Sequence, residues 1–163
     1  MIQVITTGGT IEGLEYSNEQ DKPLYANVRI KDFLKAANVS FKYFIHDAFN
    51  KDSRFITKED RKLLLQKIES CNLDKILITH GTITMIETAK YLGNLNLEKT
   101  IVLVGSFLLG NERNTDAPFN LGYAICALKI LGRGVFIAMN GRIFSWNNVV
   151  KNVDENRFEE NDN

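Results

Sequence analysis

Two segments of the chain place threonine hydroxyls beside glycines directly after short apolar runs. The segment TTGGT, residues 6–10, follows the run from Ile2 to Ile5, and THGT, residues 79–82, follows the run from Ile76 to Ile78. A threonine hydroxyl can attack a carbonyl carbon when a neighbouring group removes its proton and N–H donors hold the oxyanion that forms. The glycines permit a tight turn that brings backbone N–H groups close to a substrate. Nucleophilic hydrolysis of an amide is therefore the chemistry that these two segments favour.

Each feature also has a purely structural interpretation. Glycine is common in loops, so TTGGT can simply end a strand. Thr82 stands beside a glycine ahead of a helix, where threonine is often a cap or turn residue. Lys151, the third candidate, is near the end of the sequence, and most lysines are solvated. A dinucleotide-binding loop is not indicated, because the chain has neither GxGxxG nor GxxxxGK.

Short apolar segments that suit strands buried on both faces recur along the chain. They are Gln3–Thr6, Phe41–Ile45, Lys75–Thr79, Thr100–Gly105 and Gly134–Met139. Helical patterns lie between them. The first predicted helix covers Ile30–Ala37, and the second begins after a cap at Thr57 and ends at about Glu69. The third begins at the capping box Thr84-Met85-Ile86-Glu87. The fourth begins at Asp116-Ala117-Pro118 and ends at about Leu131.

The alternation of strands and helices predicts an α/β fold with a doubly wound, mainly parallel sheet and right-handed crossovers. Ligands of such sheets bind beyond the carboxyl ends of the strands. Thr10 and Thr82 both follow predicted strands, so we expect their hydroxyls to face the same crevice.

Composition narrows the function classes. The 163 residues suit one domain, which we expect to cover residues 1–158 with an acidic C-terminal tail at residues 159–163. Twenty basic residues balance twenty acidic ones without a basic run, so nucleic acid is not an expected partner.

The sequence has no signal-peptide pattern and no run of eighteen apolar residues, so we expect no membrane association. Cys71 and Cys126 have no metal-ligand spacing, which is consistent with a reduced cytoplasm and no metal.

Four motifs give the chain a more specific resemblance. TTGGTIEG, HGTITMIETAKYL, NTDAPFNLGYA and AMNGRIF, followed by Lys151, resemble the asparaginase/glutaminase family of amidohydrolases with a threonine nucleophile. The similarity covers nearly the whole chain and is greatest to the short, single-domain members, which have the fold of an asparaginase N-terminal domain. It implies hydrolysis of asparagine or a related small primary amide to the acid and ammonia, without a cofactor. It also implies a homodimer or homotetramer, since such members have no second domain with which to complete a site.

The resemblance assigns roles to individual residues. Thr10 becomes the nucleophile that carries the acyl group, while Thr82 and Lys151 belong to a second triad that supports the reaction. Asp52 and Ser53 match the pair that holds the substrate α-carboxylate. Gly9 and Gly81 supply backbone groups at the same place. His80, Asp116 and Arg142 are expected to be structural ties.

Two positions depart from the family pattern. Ile83 stands where the family has an aspartate that pairs with the substrate α-ammonium group and completes the triad with Thr82 and Lys151. The tyrosine that activates the nucleophile lies, in short members, at the position of Glu15. Tyr16 is its neighbour, and Tyr25 is a second candidate.

Two other function classes remain open from the sequence. A protein that keeps the amide pocket but has lost turnover is suggested by Ile83 and by the displaced tyrosine; ammonia release from a panel of amides distinguishes it from an enzyme. A flavodoxin-like nucleotide-binding domain fits the α/β pattern and the early glycine turn, and binding of a fluorescent nucleotide tests it.

Overall fold

In the part of the chain that the structure describes, six strands form the central sheet. The computed structural model describes residues 1–15 and 28–161. The strands are β1 (Ile2–Thr6), β2 (Tyr43–Asp47), β3 (Lys75–Thr79), β4 (Thr100–Val104), β5 (Gly134–Met139) and β6 (Arg142–Ser145). Their order is β2-β1-β3-β4-β5-β6, with five parallel strands and β6 antiparallel to β5. The predicted α/β architecture with a mainly parallel sheet is confirmed.

Within the described residues, four α-helices lie in the connections between the parallel strands. They are α1 (Ile30–Ala36), α2 (Lys58–Glu69), α3 (Met85–Gly93) and α4 (Ala117–Ile130). Thr57 caps α2 as predicted: its hydroxyl accepts from the Asp60 backbone N–H, and the Asp60 carboxylate accepts from the Thr57 N–H. Among the described residues, no helix is long and apolar enough to cross a membrane.

The capping box predicted at the start of α3 is wrong. The Thr84 side chain makes no cap hydrogen bond, because its hydroxyl donates instead to the Ser53 carbonyl oxygen at 2.6 Å. The Glu87 carboxylate pairs with Arg61 of α2 at 3.0 Å. Both side chains therefore hold neighbouring elements against α3, since tertiary partners compete successfully with a local cap.

The position of β2 also differs from the prediction, which placed it two residues earlier. The Ile2 N–H donates to the Lys42 carbonyl oxygen, and Ile2 then pairs with Tyr43. Strand boundaries follow this backbone pairing rather than the apolar run that begins at Phe41. The outer strand β2 is partly exposed, whereas every residue of β1 and β4 is buried.

A C-terminal hairpin extends the fold beyond the elements predicted from the sequence. Strands β7 (Val150–Asn152) and β8 (Arg157–Glu159) pair antiparallel, so the predicted tail boundary after residue 158 falls inside β8. Phe158 is buried against the Phe107 ring, with the ring centroids 6.0 Å apart. Its N–H donates to the Asn140 Oδ1 at 3.0 Å. These contacts attach the hairpin to the carboxyl end of the sheet and place Lys151 there.

Candidate functional site

The turns that follow β1 and β3 meet at the carboxyl edge of the sheet. Thr6 pairs with Thr79, and the Thr7 hydroxyl donates to the Thr79 carbonyl oxygen at 2.7 Å. Gly9 has φ +86°, and a Cβ on it would lie 2.5 Å from the Gly81 nitrogen. A Cβ on Gly81 would lie 2.6 Å from the Ser53 Oγ. The absence of a side chain at Gly9 therefore allows the two turns to touch, and its absence at Gly81 makes room for Ser53.

This contact brings most of the predicted site residues into one small pocket. Its lining consists of Gly9, Thr10, Leu14, Asp52, Ser53, Gly81 and Thr82. Thr10 begins a short 3₁₀ turn, and its carbonyl oxygen accepts from the N–H groups of Gly13 and Gly110, both at 2.9 Å. The backbone of the candidate nucleophile is thus held from its own turn and from the loop after β4.

Lys151 reaches this pocket from the C-terminal hairpin. Its ammonium nitrogen lies 2.9 Å from the Thr82 hydroxyl oxygen and 5.2 Å from the centre of the Phe107 ring. Partial burial lowers the pKa of Lys151 below its usual range, because removal from water disfavours the charged amine. Within residues 1–15 and 28–161, no carboxylate forms a salt bridge with this ammonium. The geometry suits an amine that exchanges a proton with the Thr82 hydroxyl.

Ile83 follows Thr82 but does not line the pocket. Its side chain is 42% exposed. An isoleucine offers neither a hydrogen-bond acceptor nor a negative charge at the position where the resemblance implies an aspartate. The Thr82–Lys151 contact therefore forms in this chain without the carboxylate at the intervening position.

Asp52 and Ser53 both line the pocket, but the Asp52 side chain is engaged by a neighbouring residue. Both Asp52 oxygens accept hydrogen bonds from Arg54, one from the backbone N–H at 2.9 Å and the other from the guanidinium at 2.6 Å. Ser53 is buried, and its carbonyl oxygen accepts from Thr84. Asp52 therefore shapes the turn, and Ser53 presents its side chain beside Gly81.

His80 is a structural tie. Its Nδ1 lies 2.8 Å from the Gly81 carbonyl oxygen, which can only accept, so Nδ1 carries the proton. Its Nε2 lies 2.9 Å from the Thr88 hydroxyl, which itself accepts from the Arg61 guanidinium. Burial lowers the pKa of His80 to about 4, so the ring is neutral at neutral pH. The imidazole thus connects the Gly81 turn to α3.

The remaining predicted residues lie apart from the pocket lining. The Asp116 carboxylate accepts from the N–H groups of Phe107 and Leu108, which ties the loop after β4 to the start of α4. Arg142 is half exposed and pairs with Glu160 at 3.3 Å. Tyr16 and Tyr25, the two candidates for activating Thr10, lie outside the described residues.

Comparison with known proteins identifies the family. The model of the asparaginase N-terminal domain matches residues 1–159. The chain belongs to the asparaginase family.

The relatives of this asparaginase-family chain are longer proteins. It is 29% identical to L-asparaginase 2 of Bacillus subtilis over 92% of its own length and 43% of that protein. It is 30% identical to a probable periplasmic L-asparaginase of Haemophilus influenzae, over 92% of the chain and 46% of the relative. The crystal structure of a probable cytoplasmic L-asparaginase from Campylobacter jejuni superposes with a TM-score of 0.79 at 30% identity, over 98% of this chain and 51% of that one. The chain therefore spans about half the length of these relatives.

Glu12 is the site-adjacent residue that sequence reasoning missed. It lies two residues after Thr10 and is only 6% exposed. Its Oε2 accepts from the Gly8 N–H at 2.7 Å and from the Thr79 hydroxyl at 3.3 Å. The available signal was a carboxylate directly after the uncharged segment TTGGTI, residues 6–11, because glutamate is rarely buried without such partners.

Burial raises the pKa of Glu12 from 4.5 to about 7; its two hydrogen bonds oppose that rise, while the charge of Asp47 adds to it. The folded state therefore binds this proton more tightly than the unfolded state. The stability that the protonated form contributes is fully present below pH 4.5 and is lost as the pH rises through about 7.

We therefore expect Glu12→Gln to gain stability relative to the native chain as the pH increases. Between pH 5 and pH 8, the difference in unfolding free energy should change by on the order of 2 kcal/mol in favour of the variant. Urea unfolding at both pH values measures it. The matched control is Glu69→Gln, at an exposed position at the end of α2. A difference that is the same at both pH values would contradict the shifted pKa.

Proposed function

We propose that this asparaginase-family chain hydrolyses a small primary amide, asparagine or a close relative, to the acid and ammonia. The observation that carries the proposal is the hydrogen bond of 2.9 Å between Lys151 and Thr82, formed beside the pocket that also contains Thr10. An amine of lowered pKa next to a hydroxyl is the arrangement that prepares a hydroxyl or a water for attack. The names of the relatives, which are asparaginases, support the same substrate class.

The reaction divides into two acyl transfers. In the first, the Thr10 Oγ attacks the amide carbon while a tyrosine takes its proton, and the tetrahedral intermediate collapses as that proton passes to the leaving nitrogen, which departs as ammonia. In the second, water attacks the acyl-Thr10 ester, releases the acid and restores the hydroxyl. In this second transfer Lys151 acts as the base for the attacking water, through Thr82 or directly. The sum is one amide and one water converted to a carboxylate and ammonium, with no cofactor.

The base for Thr10 itself is assigned to a tyrosine. Tyr16 takes this role in our proposal because it follows Glu15, the position that the family's short members suggest, and Tyr25 is the alternative. Both stand in the segment between the described residues Glu15 and Val28. Exchange of each tyrosine for phenylalanine separates the two assignments by the loss of kcat.

Substrate binding rests on the turn after β2 and on the glycine backbones. The Ser53 hydroxyl and nearby N–H groups are proposed to hold the α-carboxylate of the substrate. Asp52 is proposed to contribute through the position of Ser53, because its own carboxylate is occupied by Arg54. Gly9 and Gly81 allow the backbone approach that orients the amide toward Thr10.

Location and assembly also stay proposals. We propose a cytoplasmic location, consistent with the name of the Campylobacter jejuni structure, although a relative from Haemophilus influenzae is named as periplasmic. We further propose a homodimer or homotetramer that binds a small-molecule amide and neither nucleic acid nor a membrane.

The nucleophile assignment predicts the effect of two substitutions. Thr10→Ala should abolish ammonia release and retain the thermal unfolding temperature, because the side chain lines a pocket and the backbone carries the local hydrogen bonds. Thr10→Ser keeps the hydroxyl and should retain part of the activity. Ammonia release from a panel of amides is the measurement. Turnover of Thr10→Ala at the native rate would exclude Thr10, and a native chain that binds amides without turnover would instead indicate a binding protein.

Ile83 predicts altered specificity. A substrate α-ammonium group placed against isoleucine lacks its acceptor, and a loss of about 3 kcal/mol weakens binding about a hundredfold. Amides without the α-amino group, such as succinamic acid, avoid that cost and should be preferred. Ile83→Asp should shift preference toward asparagine, because the carboxylate restores an acceptor for the α-ammonium group.

The measurement for this position is the ratio of kcat/KM for asparagine to that for succinamic acid. Ile83→Asn is the matched control, since it has the shape of aspartate without its charge. The ratio should rise strongly in Ile83→Asp and little in Ile83→Asn. An unchanged ratio in both variants would contradict the role assigned to position 83.

If the chain forms the proposed homodimer or homotetramer, the particle in solution should have a mass above that of one chain. Light scattering of an active preparation at micromolar concentration should give at least twice 18.5 kDa. An active preparation that contains only the monomer would exclude the proposed oligomer while leaving the assignment of Thr10 in place.

A further inference from the structure

Glu12 lies behind the turn that presents Thr10. Its backbone N–H donates to the Gly9 carbonyl oxygen at 3.0 Å, which closes the turn from within. Its carboxylate returns to the Gly8 N–H at 2.7 Å and also accepts from the Thr79 hydroxyl at 3.3 Å. The Glu12 side chain thus links Gly8, at the start of the glycine turn before Thr10, to Thr79 at the end of β3.

The glycine turn depends on such a support because its conformation is unusual. Gly8 has φ +94° and Gly9 has φ +86°. Glycine loses more conformational entropy on ordering than any other residue, so two consecutive glycines favour many alternative turns. Hydrogen bonds from outside the turn select one of these conformations. The 2.7 Å bond from the Gly8 N–H to the Glu12 carboxylate is shorter than the bonds of 3.0 and 3.3 Å that the Gly9 carbonyl oxygen accepts from the N–H groups of Glu12 and Leu14.

We propose that Glu12 is a positioning residue of the catalytic turn, and that its ionised carboxylate holds Gly8 so that the Thr10 hydroxyl is presented to the substrate. The inference rests on the proposed function in taking Thr10 as the nucleophile. Glu12 itself does not touch the substrate pocket, which has Thr10 and Gly9 in its lining but not Glu12. Its effect should therefore appear in kcat rather than in KM.

The carboxyl group is able to exchange its proton. Glu12 lines a second pocket of about 360 Å³ on the opposite side of the turn, which opens between β1, β2 and the start of α1. Asp47 from the end of β2 lines the same pocket, and its carboxylate accepts from the Thr6 hydroxyl at 2.6 Å. Arg29 and Lys31 from the start of α1 line it as well. From β3, the Thr79 hydroxyl contacts Glu12, and the next residue, His80, makes its own bonds to Gly81 and Thr88.

Ionisation of Glu12 changes the strength of the support. An N–H donor bound to a carboxylate forms a charge-assisted hydrogen bond, which is stronger than one to a neutral carboxyl group. Burial raises the pKa of Glu12 to about 7, so the carboxylate is converted to the neutral acid within the neutral to mildly acidic range. Below that pH the hold on Gly8 weakens, and the nucleophile turn regains alternative conformations.

The kinetic test compares the native chain with Glu12→Gln, which keeps an acceptor at similar reach but cannot ionise. For the native chain, kcat on the best amide should fall about tenfold between pH 7.5 and pH 5.5, with KM nearly constant. In Glu12→Gln this fall should be several-fold smaller, and the decline that remains belongs to the Lys151 base. Glu69→Gln, on the exposed end of α2, should retain the native profile. An acidic decline that persists unchanged in Glu12→Gln assigns it to another group, such as Lys151, and overturns the proposal.

A second measurement does not depend on turnover. The amide NMR resonance of Gly8 should shift with pH in the native chain, with a midpoint near 7, and should lose this shift in Glu12→Gln. A Gly8 resonance that is insensitive to pH in the native chain overturns the proposal even if the chain is an active amidase. If no amide is turned over at any pH, the proposed function fails, and the Gly8 titration alone decides whether Glu12 holds the turn.

Discussion

The site depends on the contact between two backbones that have no side chains between them. A Cβ on Gly9 would fall 2.5 Å from the Gly81 nitrogen, a distance too short for a side-chain carbon to occupy. Because β1 and β3 are neighbours in a parallel sheet, their turns leave the sheet at the same edge, and the two glycines let those turns touch. Thr10 and Thr82, each one residue beyond its glycine, then lie in the wall of one pocket. A larger residue at Gly9 would push the two turns and their hydroxyls apart, whereas one at Gly81 would displace Ser53.

Elements far away in the sequence complete this contact. Lys151 belongs to a hairpin whose attachment depends on the burial of Phe158 against Phe107 and on its bond to Asn140. The Phe107 ring that packs against Phe158 also lies 5.2 Å from the Lys151 ammonium. The Phe107 ring thus takes part both in the packing of the hairpin, through Phe158, and in the partial desolvation of the Lys151 amine. The lowered pKa of Lys151 follows from that placement.

Two buried titratable groups stabilise the turns, and each is mainly in its neutral form on the acidic side of neutrality. His80 has its pKa lowered to about 4 and Glu12 has its pKa raised to about 7, both by burial. The imidazole binds the Gly81 carbonyl oxygen and the carboxyl group binds the Gly8 N–H. Near neutrality the imidazole therefore keeps one protonation state, whereas the carboxyl group beside Gly8 titrates. A change of pH near neutrality therefore alters the protonation state of Glu12, on the Thr10 side of the site, and not that of His80.

The sequence by itself determined the features that depend on local pattern: the β3 strand at Lys75–Thr79, the cap at Thr57, the mainly parallel sheet and the motifs of the asparaginase family. Those features follow from the periodicity of apolar residues and from motifs read residue by residue. The tertiary structure alone decided where side chains find their partners. Thr84 bonds Ser53 instead of capping α3, and Glu12 is buried behind the turn that contains Thr10, because both depend on elements distant in the chain. The hydrogen bond between Lys151 and Thr82 spans 69 positions of sequence, and only packing of the C-terminal hairpin could establish its length.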